Sequence, residues 1–226
     1  MEKGEEYQDS LDSIYDGKFV IVIGRQFGSG GRRIGRLIAK KLSIGYFDKE
    51  LLAQAAESLG YTQDIFVAHD EKKPSPLKSL LQGIYGIADN FHDTSICGES
   101  LYHAQGDVIK NICEKQSCVI VGRTADYIMR HHPGLVSVFL HSPVSVRAKK
   151  IVGRNDASNE ESAAELAKRN DRERESYYNY YTGWHWGKAS NYHLTIDASS
   201  LDEETIADII IDFARKKNGD RLQSDI

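Results

Sequence analysis

The sequence predicts an α/β fold, a mainly parallel sheet of five strands covered by helices on both faces. Three observations carry that expectation. Short, continuous apolar runs rich in β-branched residues recur at 18–23, 118–122 and 135–140, as in strands buried on both faces. Segments with helical apolar spacing alternate with those runs. A glycine cluster, Gly28-Ser29-Gly30-Gly31, joins the first strand to the first helix.

Each element has its own reason. After the acidic, polar residues 1–17, the first strand is read over 18–23. Ile34, Leu37, Ile38, Lys41 and Leu42 then fall on one helical stripe, four of them apolar. Residues 44–48 form a second strand and 49–59 a helix, with Gly60 as its stop. The stretch 61–95 is irregular, broken by Pro74 and Pro76, and reads as an insertion with a helix over 79–90. Leu101, Ala104, Val108, Ile109 and Ile112 give a helix over 100–115. Strands at 118–122 and 135–140 flank a helix over 124–131. Charged helices at 143–154 and 160–180 precede a fifth strand at 192–197. The last helix, 202–217, opens on Asp202, Glu203 and Glu204 and closes on Arg215, Lys216 and Lys217, which suits the helix dipole. The core unit is thus residues 18–217, with a further tail at 218–226.

Composition narrows the function classes. The 226 residues carry 29 Lys and Arg against 33 Asp and Glu, a net charge of −4, which argues against a general nucleic-acid binder. No apolar run approaches the roughly 18 residues of a membrane helix, so no membrane partner is expected. The polar N-terminus reads as neither a secretory signal nor a transit peptide. Cys97, Cys113 and Cys118 are too few and too odd in number for a disulfide framework. They read as reduced thiols of a cytoplasmic protein. No CxxC or HExxH pattern is present, so no zinc site is expected. His131 and His132 read as a helix end rather than a metal pair.

The mean charge conceals a local one. From Gly24 to Phe47 there is no Asp or Glu, while Arg25, Arg32, Arg33, Arg36, Lys40 and Lys41 all fall there. A strand running through glycines into a helix turns backbone N–H groups toward an anion, most often phosphate. The strict pattern GxxxxGK[ST] fails: Arg25 stands at its first glycine, Gly31 at its lysine and Arg32 at its hydroxyl residue. Arg32 or Arg33 is expected to replace the lysine charge. A dinucleotide fingerprint competes, but Gly28, Gly30 and Gly35 miss its spacing.

Four segments together resemble the cytidylate kinase-like family of P-loop nucleoside monophosphate kinases, over roughly residues 18–215. They are residues 23–35 (IGRQFGSGGRRIG), 46–51 (YFDKEL), 119–127 (VIVGRTADY) and 166–174 (LAKRNDRER). Thr124 stands at an Asp of the family pattern, Glu173 at another, and Ser176 at a lid arginine. The resemblance implies a P-loop NTPase-type, three-layer α/β/α fold with a helical insertion and a lid. It also implies transfer of the ATP γ-phosphoryl group to CMP or dCMP, with magnesium. The insertion would be the acceptor-binding segment 61–95 and the lid would lie within 147–180.

Phosphoryl transfer needs positioning and positive charge more than covalent help. The candidate donor-binding residues are Gly28, Ser29, Gly30, Gly31, Arg32, Arg33 and Arg147. Arg123, after a strand-end glycine, is the candidate for the acceptor phosphate, with Asp48 and Asp126 beside it. Arg32, Arg123, Arg169 and Arg172 are the candidate catalytic set. Surface ion pairs explain Arg147, Arg169 and Arg172 about as well. Asp48 orients magnesium through water, contacts the acceptor, or caps the next helix. The magnesium ligands and the oligomeric state are left unassigned. The aromatic residues 177–186 stack a base, dock the lid helix or make a subunit contact. Two rival functions stay open: a non-catalytic nucleotide-binding module, and an ATP-dependent kinase of another small metabolite.

Overall fold

The computed structural model describes residues 17–60 and 98–219. Five parallel strands form one sheet: β1 (Val20–Arg25), β2 (Gly45–Phe47), β3 (Cys118–Val121), β4 (Leu135–His141) and β5 (Leu194–Asp197). The strand order is β2-β3-β1-β4-β5. β1 is central, with Val20 opposite Cys118 on one side and Leu135 on the other. The chain leaves β1 for one half of the sheet and returns across it to β4. The order therefore switches at the carboxyl end of β1, where open α/β sheets bind their ligands.

Among the described residues seven α-helices follow in chain order: α1 (Gly31–Leu42), α2 (Lys49–Ser58), α3 (Gly98–Lys115), α4 (Ala125–Ile128), α5 (Val144–Gly153), α6 (Glu160–Thr182) and α7 (Glu203–Asn218). Alternation along β1 sorts them into layers. Phe19, Ile21 and Ile23 face Ile34 and Ile38 of α1 and Ile206 and Ile210 of α7. Val20 and Val22 face Leu52 of α2, Val108 and Ile109 of α3, and Ala125 at the start of α4. The result is the three-layer α/β/α architecture that the alternation implies, of the P-loop NTPase type that the family resemblance implies. α5 and α6 stand apart and share a small core of Ala148, Ile151, Ala163 and Ala167, against which Phe27 packs.

Several boundaries shift for local reasons. β1 extends to Arg25 because Gly24 and Arg25 pair with Phe139 and Leu140 of β4. The helix expected over 124–131 shrinks to one turn, since Arg123 and Thr124 both take left-handed backbone. The fifth strand starts two residues later because residues 189–191 form a 3₁₀ turn. Asn159 and Asp202 cap α6 and α7, each accepting a backbone N–H two residues into its helix's first turn. The insertion 61–95, its helix over 79–90 and Cys97 lie outside the described residues.

Candidate phosphate-binding cleft

The carboxyl ends of β1 and β3 open into a cleft of about 430 Å³. Its floor is the loop between β1 and α1. Gly28 takes φ +84, and a Cβ there would lie 2.9 Å from Ile151 Cδ1 and 3.1 Å from Arg147 Cβ. Glycine is therefore required both by the turn and by the close approach of α5. Gly30 ends the loop at φ 94, and the backbone N–H groups of Arg33 and Ile34 return to its carbonyl at 2.9 and 3.1 Å. The first turn of α1 is thereby presented to the cleft, where its dipole favours an anion.

The loop is held from behind by a buried latch. The Asp171 carboxylate of α6 accepts the Phe27 backbone N–H at 2.7 Å and the Arg147 guanidinium at 2.7 Å. Arg147 also donates to the Phe27 carbonyl and the Ser142 carbonyl, each at 2.8 Å. Gln26 contributes from the other side, accepting the Ser142 N–H at 3.0 Å through its side chain. Both peptide groups of Phe27 are thus tied to α5 and α6. Its ring in turn carries two cations, with Arg154 and Arg174 at 5.6 and 5.5 Å from the centroid.

The structure sorts the residues expected from sequence. Gly28, Gly30 and Gly31 line the cleft, and so do Arg32, Arg33 and Arg123. Ser29 is buried behind them, its hydroxyl donating to the Gln26 carbonyl at 2.8 Å. Arg32 leans outward to Glu50 at 2.9 Å, and Arg33 to Glu203 at 2.8 Å. Arg123 is buried at the end of β3. Arg147, expected among the donor contacts, directs its guanidinium to the latch instead. On α6, Asn170, Glu173 and Arg174 share the face toward the cleft. Arg169 is exposed, and Arg172 points to a shallower depression beside Lys168 and Glu175. Helical phase explains this, since 170, 173 and 174 lie one to two positions away from 169 and 172.

Asp48 sits at the start of α2, where its carboxylate accepts the Leu51 N–H at 3.3 Å, the Tyr46 hydroxyl at 3.1 Å and Arg36 at 3.3 Å. It caps the helix, as one reading of the sequence allowed. Asp126 is buried beside Arg123 and accepts the Tyr178 hydroxyl at 2.7 Å. Burial pushes its carboxyl up to about 6, against the pull of the Tyr178 hydrogen bond. The aromatic residues dock α6: Tyr177 donates to Gln105 of α3 at 3.1 Å, Tyr181 stacks on Tyr102 at 4.5 Å, and Trp186 meets Phe139 of β4 edge-on at 5.1 Å.

Sequence reasoning missed Arg25, Arg36, Lys49, Arg154 and Arg174, all of which line the cleft. Phase along α6 was the available signal for Arg174. Magnesium finds a poor set of protein ligands here. The hydroxyl position of the loop holds Arg32, the Asp48 carboxylate is engaged by its cap and Arg36, and no group of three acidic, His or Cys side chains gathers among the described residues.

A phosphate-shaped loop on this sheet order agrees with the sequence comparisons. The pattern of the cytidylate kinase-like family matches residues 20–200. The chain belongs to the cytidylate kinase-like family. A curated cytidylate kinase from Sulfolobus acidocaldarius is similar at 27% identity over 198 residues, covering 88% of this chain and 95% of that protein. Among solved structures, an uncharacterized protein from Eubacterium ventriosum matches with a TM-score of 0.66 at 26% identity, over 87% of this chain and 98% of that one. A shikimate kinase from Bacteroides thetaiotaomicron matches with a TM-score of 0.48 at 12% identity, over 88% and 97%. This family and fold support a phosphotransferase. No helix among the described residues is long and apolar enough to cross a membrane.

Two expected outcomes test the geometry. Asp171→Asn strands the buried Arg147 charge and leaves one acceptor oxygen for two donors, the Phe27 N–H and the Arg147 guanidinium, so it destabilises the chain by about 3 kcal/mol in urea unfolding. Asp126 binds its proton more tightly in the folded state, at about 6, than unfolded, at about 4. Its contribution is therefore fully present below pH ~4 and lost as pH rises through about 6. Asp126→Asn removes that loss. The variant is expected to exceed the wild type by on the order of 2 kcal/mol at pH 7.5, with the difference closing near pH 4. Parallel stability–pH curves would contradict the assignment.

Proposed function

We propose that this chain is a nucleoside monophosphate kinase that transfers the γ-phosphoryl group of ATP to CMP or dCMP. The observation that carries the reading is the convergence of α1's N-terminus, the glycine loop and several arginines on one cleft at the sheet's switch point. Its size suits small-molecule binding, and its charge suits phosphates.

In this reading the loop from Gly28 to Gly31 cradles the donor phosphates through backbone N–H groups. Arg123 holds the acceptor phosphate. An oxygen of that phosphate attacks the γ-phosphorus, the bond to the β–γ bridging oxygen breaks, and ADP leaves with the electron pair. The attacking oxygen is already ionised, so no general base is needed. Arg32 and Arg33 stay at the rim, paired with Glu50 and the partly buried Glu203, and add positive potential around the cleft rather than a direct phosphate contact. The segment 147–180, which includes Arg154, serves as the lid. Arg174 carries the role that sequence spacing gave to Arg169 and Arg172. Magnesium would have to arrive on the nucleotide, held by its phosphates rather than by protein side chains, and would supply charge neutralisation there. The site lies in a reducing cytoplasm, in keeping with the free thiols Cys113 and Cys118, which lie 3.9 Å apart.

The altered loop favours a second reading, a nucleotide-binding module without turnover, because both Gly31 and Arg32 depart from the catalytic pattern. A coupled ADP-release assay with CMP, dCMP, UMP and AMP decides between them. The proposal expects turnover with CMP or dCMP, and a fall in kcat/KM of about 10- to 100-fold for Arg123→Ala. Nucleotide binding by thermal shift with no ADP release from any acceptor would favour the binding module.

A further inference from the structure

Gly31 is a glycine in a place that does not call for one. It is the first residue of α1 and has ordinary helical backbone, where glycine is a poor helix former. The reason is spatial. A Cβ at residue 31 would lie 2.9 Å from Arg25 Cγ and 3.0 Å from Arg25 Cβ. Across the cleft, Gly122 at the end of β3 takes φ +83, which itself favours glycine, and its bare Cα receives the end of the same side chain: a Cβ there would overlap Arg25 Nη1 and lie 2.8 Å from Arg25 Cζ. One arginine side chain thus runs from the start of α1 to the end of β3, and two glycines make its path.

This pairing is a positional exchange. The ordinary loop pattern has glycine where Arg25 stands and lysine where Gly31 stands. Here the small residue and the cation have traded places, so the Arg25 stem passes over the Cα from which the lysine would extend. The stem lies against the N-terminal end of α1, and the guanidinium lies at Gly122, the residue before Arg123, which lines the same cleft. Three positive features there favour an anion between them. Arg32 and Arg33, the replacements expected from sequence, turn to Glu50 and Glu203 at the cleft's rim.

We propose that Arg25 supplies the phosphate-directed charge that the loop lysine supplies in the ordinary pattern, contacting the donor's terminal phosphates. The assignment rests on the kinase reading of this cleft. It also explains why glycine at 31 is coupled to arginine at 25 rather than being a defect in the loop.

The test is calorimetric titration of the full chain with ATP and with inorganic tripolyphosphate, alongside thermal unfolding of every variant. Arg25→Ala is expected to lose about 10- to 100-fold in affinity for both. Arg32→Ala and Arg33→Ala are expected to lose less than about threefold. The double variant Arg25→Gly/Gly31→Lys restores the ordinary arrangement and recovers most of the loss. Gly31→Ala displaces the Arg25 stem, so its ATP affinity falls; the added methyl also lowers the unfolding midpoint, so the titration is run well below it, where the chain is folded. If Arg25→Ala and Gly31→Ala both bind as the wild type does while Arg32→Ala fails, the assignment is overturned and the kinase reading stands. If the wild type binds neither probe, the reading of the cleft falls with it. Should Arg25→Ala not fold, the comparison of Gly31→Ala with the double variant decides the matter alone.

Discussion

The site depends on how the two peptide groups of Phe27 are held. Arg147 and Asp171, a buried pair 2.7 Å apart, grip that residue's N–H and carbonyl from α5 and α6. Buried pairs of this kind are weak sources of net stability, because desolvating both ions offsets their attraction. Their value is geometric. With Phe27 fixed, Gly28 must turn back against α5, Gly30 must open α1, and the Phe27 ring must face Arg154 and Arg174. Removing either ion would leave the other buried without its partner, so the pair enforces one arrangement of loop and helices.

Charge in the cleft follows from that arrangement. The chain is acidic on average, yet its basic residues collect where the α1 dipole is positive. Like charges drawn together cost energy unless an anion joins them. The rim handles the cost with its own acidic partners, Glu50 and the partly buried Glu203. Arg25 and Arg123 line the cleft near the switch point of the sheet, where ligands of open α/β folds bind.

Most of the fold was legible in the sequence, and for a physical reason. β-branched runs such as Val20–Ile23 and Cys118–Val121 are buried on both faces and leave an unambiguous apolar signature. The amphipathic stripe of α1 is equally plain. The site was legible only in outline. The glycine cluster and the basic stretch announced an anion, but not which arginine meets it. Arg147 looked like a lid cation because sequence does not reveal Asp171 across 24 positions. Arg174, rather than Arg169 or Arg172, faces the cleft because phase along α6 is set by docking Tyr177, Tyr178 and Tyr181, a tertiary fact. Asp48 had three readings, and the capping contact to Leu51 came from the local chain alone. Arg25 was hidden most deeply, since its meaning lies in two glycines that are distant in sequence and adjacent in space.

The central claim is that this altered loop is a working phosphate cradle whose cation comes from β1. A crystal structure with adenylyl imidodiphosphate, a non-hydrolysable ATP analogue, tests it most directly. The account predicts the terminal phosphates against the backbone of residues 28–31, with the Arg25 guanidinium within hydrogen-bond distance of them. Phosphates bound elsewhere, or in the loop with Arg25 turned away and Arg32 or Arg33 in its place, would contradict it.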